Sequence, residues 1–318
     1  MGIGGILLKK LNGLIYALLS GAAFGVMPIF AKIAYNNGLN ATTVLSFRFL
    51  VAAVILFFYC VIRKESLKIN KKQLLLALLI GAVEYTLTTQ TLFVSYNYIG
   101  VGLATALHFI YPASVCVISF LFYKEKMSKN KIISLIVSCV GVYLLVGLNL
   151  QSISIKGVTL ALFSGVSYSL TVIGMNAKEI KKLNNTVATF YISLFAGITI
   201  FVMGLFTNNL TMVINPQVVM SLGGVSIIST IISMVLLMKA VKIIGPTTAS
   251  ILATFEPIVS MVMGVLFLGE KLTLFIVIGT ILILASVVLL AKDKPKDTLE
   301  EGSVDEEIKE KEIIEEVL

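Results

Sequence analysis

The chain has 318 residues, of which 58% are hydrophobic and only 13% charged, and its mean hydropathy is +0.99. Soluble domains carry about 25% charged residues, so this composition excludes an ordinary water-soluble fold and reads as a polytopic membrane protein. The formal charge of +8 hides two regions, a net +14 over residues 1–291 and a net −6 over residues 292–318. Basic loops on a membrane body account for the excess, and no nucleic acid is needed to explain it.

Taken in order, the chain begins with an apolar run after Lys9 and Lys10 that is too long for a signal-peptide core, so it reads as a retained first span. Ile6 breaks the myristoylation pattern that Gly2 would need. A helical span takes about 20 apolar residues. Ten candidates follow at 12–34, 41–62, 73–96, 101–123, 131–148, 157–177, 186–206, 217–240, 247–268 and 272–291. With the N-terminus in the cytoplasm, the inner loops hold 16 Lys or Arg before the tail, against three outside, Lys32, Lys156 and Lys271. That asymmetry places both termini inside. Cys60, Cys116 and Cys139 lie in apolar segments without metal spacing and read as free thiols.

Residues 97–126 and 242–271 align without a gap at an offset of 145, and ten of the thirty positions are identical. The matches include Gly100/Gly245, Pro112/Pro257, Glu125/Glu270 and Lys126/Lys271. Gly13, Ala17, Leu18, Ser20 and Gly21 match Gly157, Ala161, Leu162, Ser164 and Gly165 at an offset of 144. The chain is therefore read as two halves. The first repeat is 12–148, the second is 157–291, and 292–318 is an acidic tail. Five spans per half is an odd number, so the second half would thread the bilayer the opposite way. The expected fold class is all-α, with ten transmembrane helices as two inverted five-helix repeats. Gly21 and Gly25 form a GxxxG pair and Gly165 and Ser169 a small-xxx-small pair. Both suit close helix approach, either static or sliding during a transport cycle.

Ionisable groups inside a bilayer cost about 2.5–3.5 kcal/mol on insertion scales, so each asks for a partner or a wet cavity. Four stand out: Arg48, Glu84, His108 and Glu256. Their positions along the spans put all four in one broad layer. Arg48 either pairs with a carboxylate or backbone carbonyls and fixes its span, or captures an anionic substrate group. Glu84 lies in a polar run with Tyr85, Thr86, Thr88, Thr89 and Gln90, and either lines a cavity or forms a structural ion pair. Protonation of a carboxylate there can couple transport to protons. His108 is either a hydrogen-bonded packing residue or a titrating group. Pro112 and Pro257 kink their spans at equivalent places, the mark of a cavity wall and hinge or of a static bend, while Pro28 has no counterpart, since Val172 occupies the equivalent position. A single histidine excludes HExxH, and GxSxG and P-loop patterns are absent, so no enzyme, cofactor or metal is indicated.

At this point the residues resemble the EamA-type permeases of the drug/metabolite transporter superfamily. Gly100 with Pro112 and Glu125-Lys126, Gly245-Pro246 with Glu256-Pro257 and Gly269-Glu270-Lys271, and Arg48-Phe49 carry the resemblance. Tyr111 in place of Glu256 and Lys124 in place of Gly269 are departures between the halves. The resemblance implies a permease for small metabolites, often amino acids or related compounds, frequently working outward. It also implies a cavity between spans 1, 3, 4, 6, 8 and 9, with Phe24, Glu84, Thr88, His108, Tyr111, Tyr168, Asn176, Ser233 and Thr254 as substrate-contacting candidates. Arg48, Pro112, Glu256 and Pro257 are the structural or gating candidates. The expected function is a cell-membrane secondary transporter working by alternating access between its repeats, its partners being a small-molecule metabolite and the lipid bilayer. The other class open to the sequence is a non-transporting scaffold or sensor recruiting a partner through the acidic tail.

Overall fold

The computed structural model describes residues 3–99, 101–125, 127–146, 154–268 and 274–291, and among these every regular element is helical. Asparagine side chains start several helices. Asn40 accepts from the Thr43 amide at 2.9 Å, and Asn215 from Val218 at 2.8 Å. Asn70 and Gln73 exchange two 2.9 Å bonds in a capping box. Such caps satisfy amides that the first helical turn leaves without partners.

The first apolar stretch is α1 (Ile3–Gly25) and α2 (Met27–Asn36), divided at Val26. Pro28 lies in the first turn of α2, where a missing amide proton costs nothing. Helix α3 (Ala41–Ile62) follows. The third stretch is α4 (Lys71–Leu78), a π-helical insert at Leu79–Tyr85, and α5 (Thr86–Ile99). The fourth is α6 (Val101–His108) and α7 (Tyr111–Tyr123), then α8 (Lys129–Val146). The second half opens with α9 (Ile155–Gly174), the single turn α10 (Lys178–Lys181) and α11 (Asn185–Phe206). It continues with α12 (Pro216–Ser226), a second π-helical insert at Ile227–Ile232, α13 (Ser233–Ala253), α14 (Glu256–Leu268) and α15 (Leu274–Ala291).

One boundary differs from the pattern in the sequence. Spans expected separately at 217–240 and 247–268 share α13, which turns at Gly245 with φ +79° and ψ 163° and resumes at Pro246. A residue with a Cβ is strained at that φ, so glycine makes the tight corner possible without a loop. The helix from Pro246 to Ala253 then continues through a turn at Thr254–Phe255 into α14.

Among the described residues, six helical segments are long and apolar enough to cross a bilayer: 8–36, 41–62, 71–99, 155–174, 185–206 and 216–253. Large apolar side chains lie fully on the outside, among them Phe122 at 78% and Phe206 at 86% exposure. In water such a surface would aggregate, whereas in lipid it is solvated. The chain is a multi-pass membrane protein. Inside the bundle, α1 packs on α13 and α14, and α9 packs on α5, α6 and α7. Helix α3 packs on α11, and α8 on α15.

Polar links tie the two ends of the bundle. At one end Asn40 donates to Asn209 at 2.9 Å, Asn209 to Thr42 at 3.1 Å, and Asn215 to Asn37 at 3.0 Å. At the other, Asn184 donates to Glu65 at 2.8 Å, Tyr191 to the Leu67 carbonyl at 2.8 Å, and Lys242 to the Leu183 carbonyl at 2.7 Å. Glu125 is held there by Lys131 at 2.9 Å and by the Thr247 hydroxyl at 2.7 Å. Gly100, Lys126, Gly269, Glu270, Lys271 and the acidic tail lie outside the described residues.

Candidate functional site

The site grows from two helix breaks. A proline cannot bond the carbonyl four residues before it, and for Pro112 that carbonyl belongs to His108. Helix α6 ends there, a turn at Phe109–Ile110 intervenes, and α7 begins at Tyr111 with Pro112 in its first turn. The released His108 carbonyl lies against Gly165 of α9, so closely that a Cβ on Gly165 would sit 2.5 Å from the oxygen. The second half repeats the device. Pro257 releases the carbonyl of Ala253, which faces Gly21 of α1, where a Cβ would lie 3.4 Å from the oxygen. One turn on, Gly25 meets the Glu256 carbonyl, with 2.7 Å to a built Cβ. The small-residue pairs seen in the sequence are thus seated on the proline breaks of α6–α7 and α13–α14.

Around the first break an aromatic cluster fills the interior. Tyr111 and Tyr168 stand edge to face at 4.8 Å, and His108 lies 5.5 Å from Tyr168 and 5.8 Å from Tyr111. Tyr85, the last residue of the first π-helical insert, lies 6.1 Å from Tyr168 and 5.2 Å from Phe49 of α3. Each favourable ring pair adds about 0.5–1.5 kcal/mol beyond its area. Four helical segments therefore meet on Tyr168.

The Ser164 hydroxyl donates to the Ala161 carbonyl at 2.6 Å, which leaves its oxygen to accept from His108 Nδ1 at 2.9 Å. That arrangement assigns the imidazole proton to Nδ1. Glu84 forms no ion pair among the described residues. Its Oε2 and its carbonyl oxygen both accept from the Ser167 hydroxyl, at 3.2 and 3.1 Å. Arg48 departs from the pairing expected of it. It is 3% exposed, and no carboxylate approaches within salt-bridge distance among the described residues. Its Nη1 donates to Met27 Sδ at 2.7 Å, its guanidinium lies 4.5 Å from the Phe49 ring, and Nε has no partner among the described residues. Tyr35, Tyr85, Tyr168 and Glu256 lie within electrostatic reach of it.

The remaining sequence candidates are distributed around this centre. Phe24 belongs to the same buried cluster as Phe49, Tyr85 and Tyr111. Ser233 and Thr254 are buried with their hydroxyls donated to the Thr230 and Ile251 carbonyls, and the Ser20 hydroxyl of α1 donates to the Ser233 carbonyl. Thr88 Oγ1 and Asn176 Oδ1 are buried without partners. Pro112 and Pro257 are buried at the breaks, and Glu256 is partly buried at the start of α14. Tyr111 and Thr254 are buried at 2% and 1% exposure, whereas Glu84, His108 and Tyr168 are partly exposed. An apolar groove lined by Ile281, Leu284, Ala285, Val288 and Leu289 runs along α15 and includes none of the candidates. Sequence reasoning did not single out Met27, Phe49 or Ser167 as site members. Phe49 and Tyr85 adjoin flagged ionisable residues, but nothing in the sequence marks Met27 or Ser167.

Long apolar helices interrupted at equivalent places around a buried polar and aromatic layer define the architecture of a membrane transporter. Residues 11–147 and 155–292 each match the EamA-like transporter family. The chain belongs to that family, which is part of the drug/metabolite transporter superfamily. Among its relatives, an uncharacterized transporter of Clostridium kluyveri is 25% identical over 91% of this chain and 96% of its own length. The uncharacterized inner membrane transporter YicL of Salmonella typhimurium is 26% identical over 89% and 96%. The uncharacterized transporter YvbV of Bacillus subtilis is 28% identical over 62% of this chain, a match spanning 65% of the relative's length. A protein of solved crystal structure superposes with a TM-score of 0.74 over 91% of this chain and 96% of the other, at 10% identity, a likeness of fold alone.

Proposed function

We propose that the chain is a secondary transporter of small metabolites, in which ten spans form two inverted five-helix repeats that exchange the open face by alternating access. The observation that carries this reading is the duplicated break: Pro112 with Gly165 and Pro257 with Gly21, each a freed carbonyl set against a glycine of the helix that begins the other half. The packing supports it, because α1 on α13 and α14 corresponds to α9 on α5, α6 and α7 under the repeat offset. Helices α3 and α11, and α8 and α15, each pair with their own counterpart. A rotation that exchanges the halves leaves this pattern unchanged. The π-helical inserts at Leu79–Tyr85 and Ile227–Ile232 fall at nearly equivalent places, and such inserts are frequent at functional sites.

In this reading transport requires the breaks to open the centre toward one side at a time. The lysine asymmetry supports a cell-membrane location with both termini in the cytoplasm. His108, Tyr111, Tyr168 and Glu84 on α4–α7 and α9, with Phe24 on α1, Ser233 on α13 and Thr254 in the turn after it, are the side chains such an opening would wet. Proton coupling through Glu84 belongs to this reading, since no cation neutralises that carboxylate among the described residues. The test is flux into liposomes across amino acids, nucleobases and sugars, joined to accessibility labelling of Lys126 and Lys271. Labelling from opposite sides and movement of at least one compound are expected. Labelling from the same side ends the inverted repeat, and no movement of any compound ends the transporter reading.

A further inference from the structure

Buried arginines are normally satisfied, because an ionised group taken out of water needs a counter-charge and a partner for each donor. Arg48 has neither in full. Its acceptor is the Met27 thioether, a weak one, its Nε has no partner among the described residues, and the residue is 3% exposed. Phe49 supplies a ring face rather than a counter-ion. We infer that Arg48 is the anchoring group for an anionic substrate, and that the carboxylate of a small monoanionic or zwitterionic metabolite takes the place of the Met27 sulfur on the guanidinium fork. This inference rests on the transporter reading above and names the substrate class of that site.

Three features favour a carboxylate. The guanidinium presents parallel N–H groups that match two carboxylate oxygens. Charge balance is the second. Arg48 is the one buried Lys or Arg among the described residues, and Glu256 is within electrostatic reach. A phosphoryl dianion would bring more negative charge into a low-dielectric interior than the single arginine can offset, so a monoanion suits the site better. The third is the occupant to be displaced. Met27 is the first residue of α2, directly after the Val26 break, and a thioether on a flexible chain yields readily. The rings of Phe49, Tyr85 and Tyr168 beside the guanidinium would then receive the apolar part of the metabolite.

The test uses the full-length protein in detergent, with thermal unfolding read by a thiol-reactive dye on its buried cysteines. The probes are acetate, phenylacetate, alanine and phenylalanine, each paired with its primary amide, and inorganic phosphate. At least one carboxylate is expected to raise the unfolding temperature where its amide does not. Arg48→Gln should weaken that carboxylate roughly ten- to hundredfold, the loss of one charge-assisted pair, and Arg48→Lys should weaken it less. The carboxylate-against-amide contrast on the unaltered chain stands even if Arg48→Gln fails to fold. The inference is overturned if no carboxylate shifts unfolding, if amides or phosphate act as well as carboxylates, or if Arg48→Gln retains full binding. Flux separates the two readings. Carboxylate binding without movement of any compound would end transport and keep the anion site. Movement of a neutral metabolite that carboxylates do not inhibit would end the anion site and keep transport.

Discussion

Replacing Gly165 by alanine places a methyl carbon 2.5 Å from the His108 carbonyl oxygen and 2.7 Å from Ile110 Cγ2. Ordinary contact begins near 3.4 Å, so α9 must withdraw from the α6–α7 break by roughly 1 Å, and a gap of that size forfeits a quarter to a half of each affected dispersion contact. Ile110 can change rotamer, but a carbonyl fixed by the proline break cannot. Overpacking of this kind costs about 1–3 kcal/mol. Gly21→Ala is the matched control, since its methyl would lie 3.3 Å from the nearest atom, the Glu256 amide nitrogen. Both substitutions gain about 0.8–1 kcal/mol of helix propensity, which cancels in the comparison. Gly21→Ala should therefore be neutral or slightly stabilising, and Gly165→Ala less stable than it by about 1–3 kcal/mol. Dye-monitored unfolding of both variants in one detergent measures the gap. Equal stability, or a more stable Gly165→Ala, would refute the argument that the freed carbonyl is seated on the glycine.

Two further outcomes follow from the site. Glu84→Gln keeps an acceptor for Ser167 and removes the ionisable group, so protein should accumulate while flux falls or loses its pH dependence; unchanged flux at every pH rejects Glu84 as the coupling group. Ser164→Ala removes the partner of the partly buried His108 Nδ1 proton, at a cost of about 0.5–1.5 kcal/mol. His108→Phe together with Ser164→Ala should cost less than the two separate losses combined, a coupling that a double-mutant cycle in unfolding temperature reads directly.

Much of this architecture was legible before any coordinates. The bilayer admits only backbones that satisfy their own hydrogen bonds, so apolar length alone located α3 at 41–62. The matched glycines and prolines announced two related halves, because each is tied to a local backbone event that a sequence records. What those halves touch was not legible. The pairing of Gly165 with His108, and of Gly21 with Ala253, joins residues far apart in the chain.

Side-chain partners were least accessible of all. The sequence singled out Arg48 and suggested a carboxylate or carbonyl beside it, yet the rotation of α3 and the break at Val26 bring Met27 instead. Glu84 faces Ser167 rather than a cation for the same reason. Composition and spacing determine that a helix forms and at what depth a residue sits. The azimuth of each helix, and so which side chain meets which, is settled only by close packing among all of them, and no local pattern in the chain contains it.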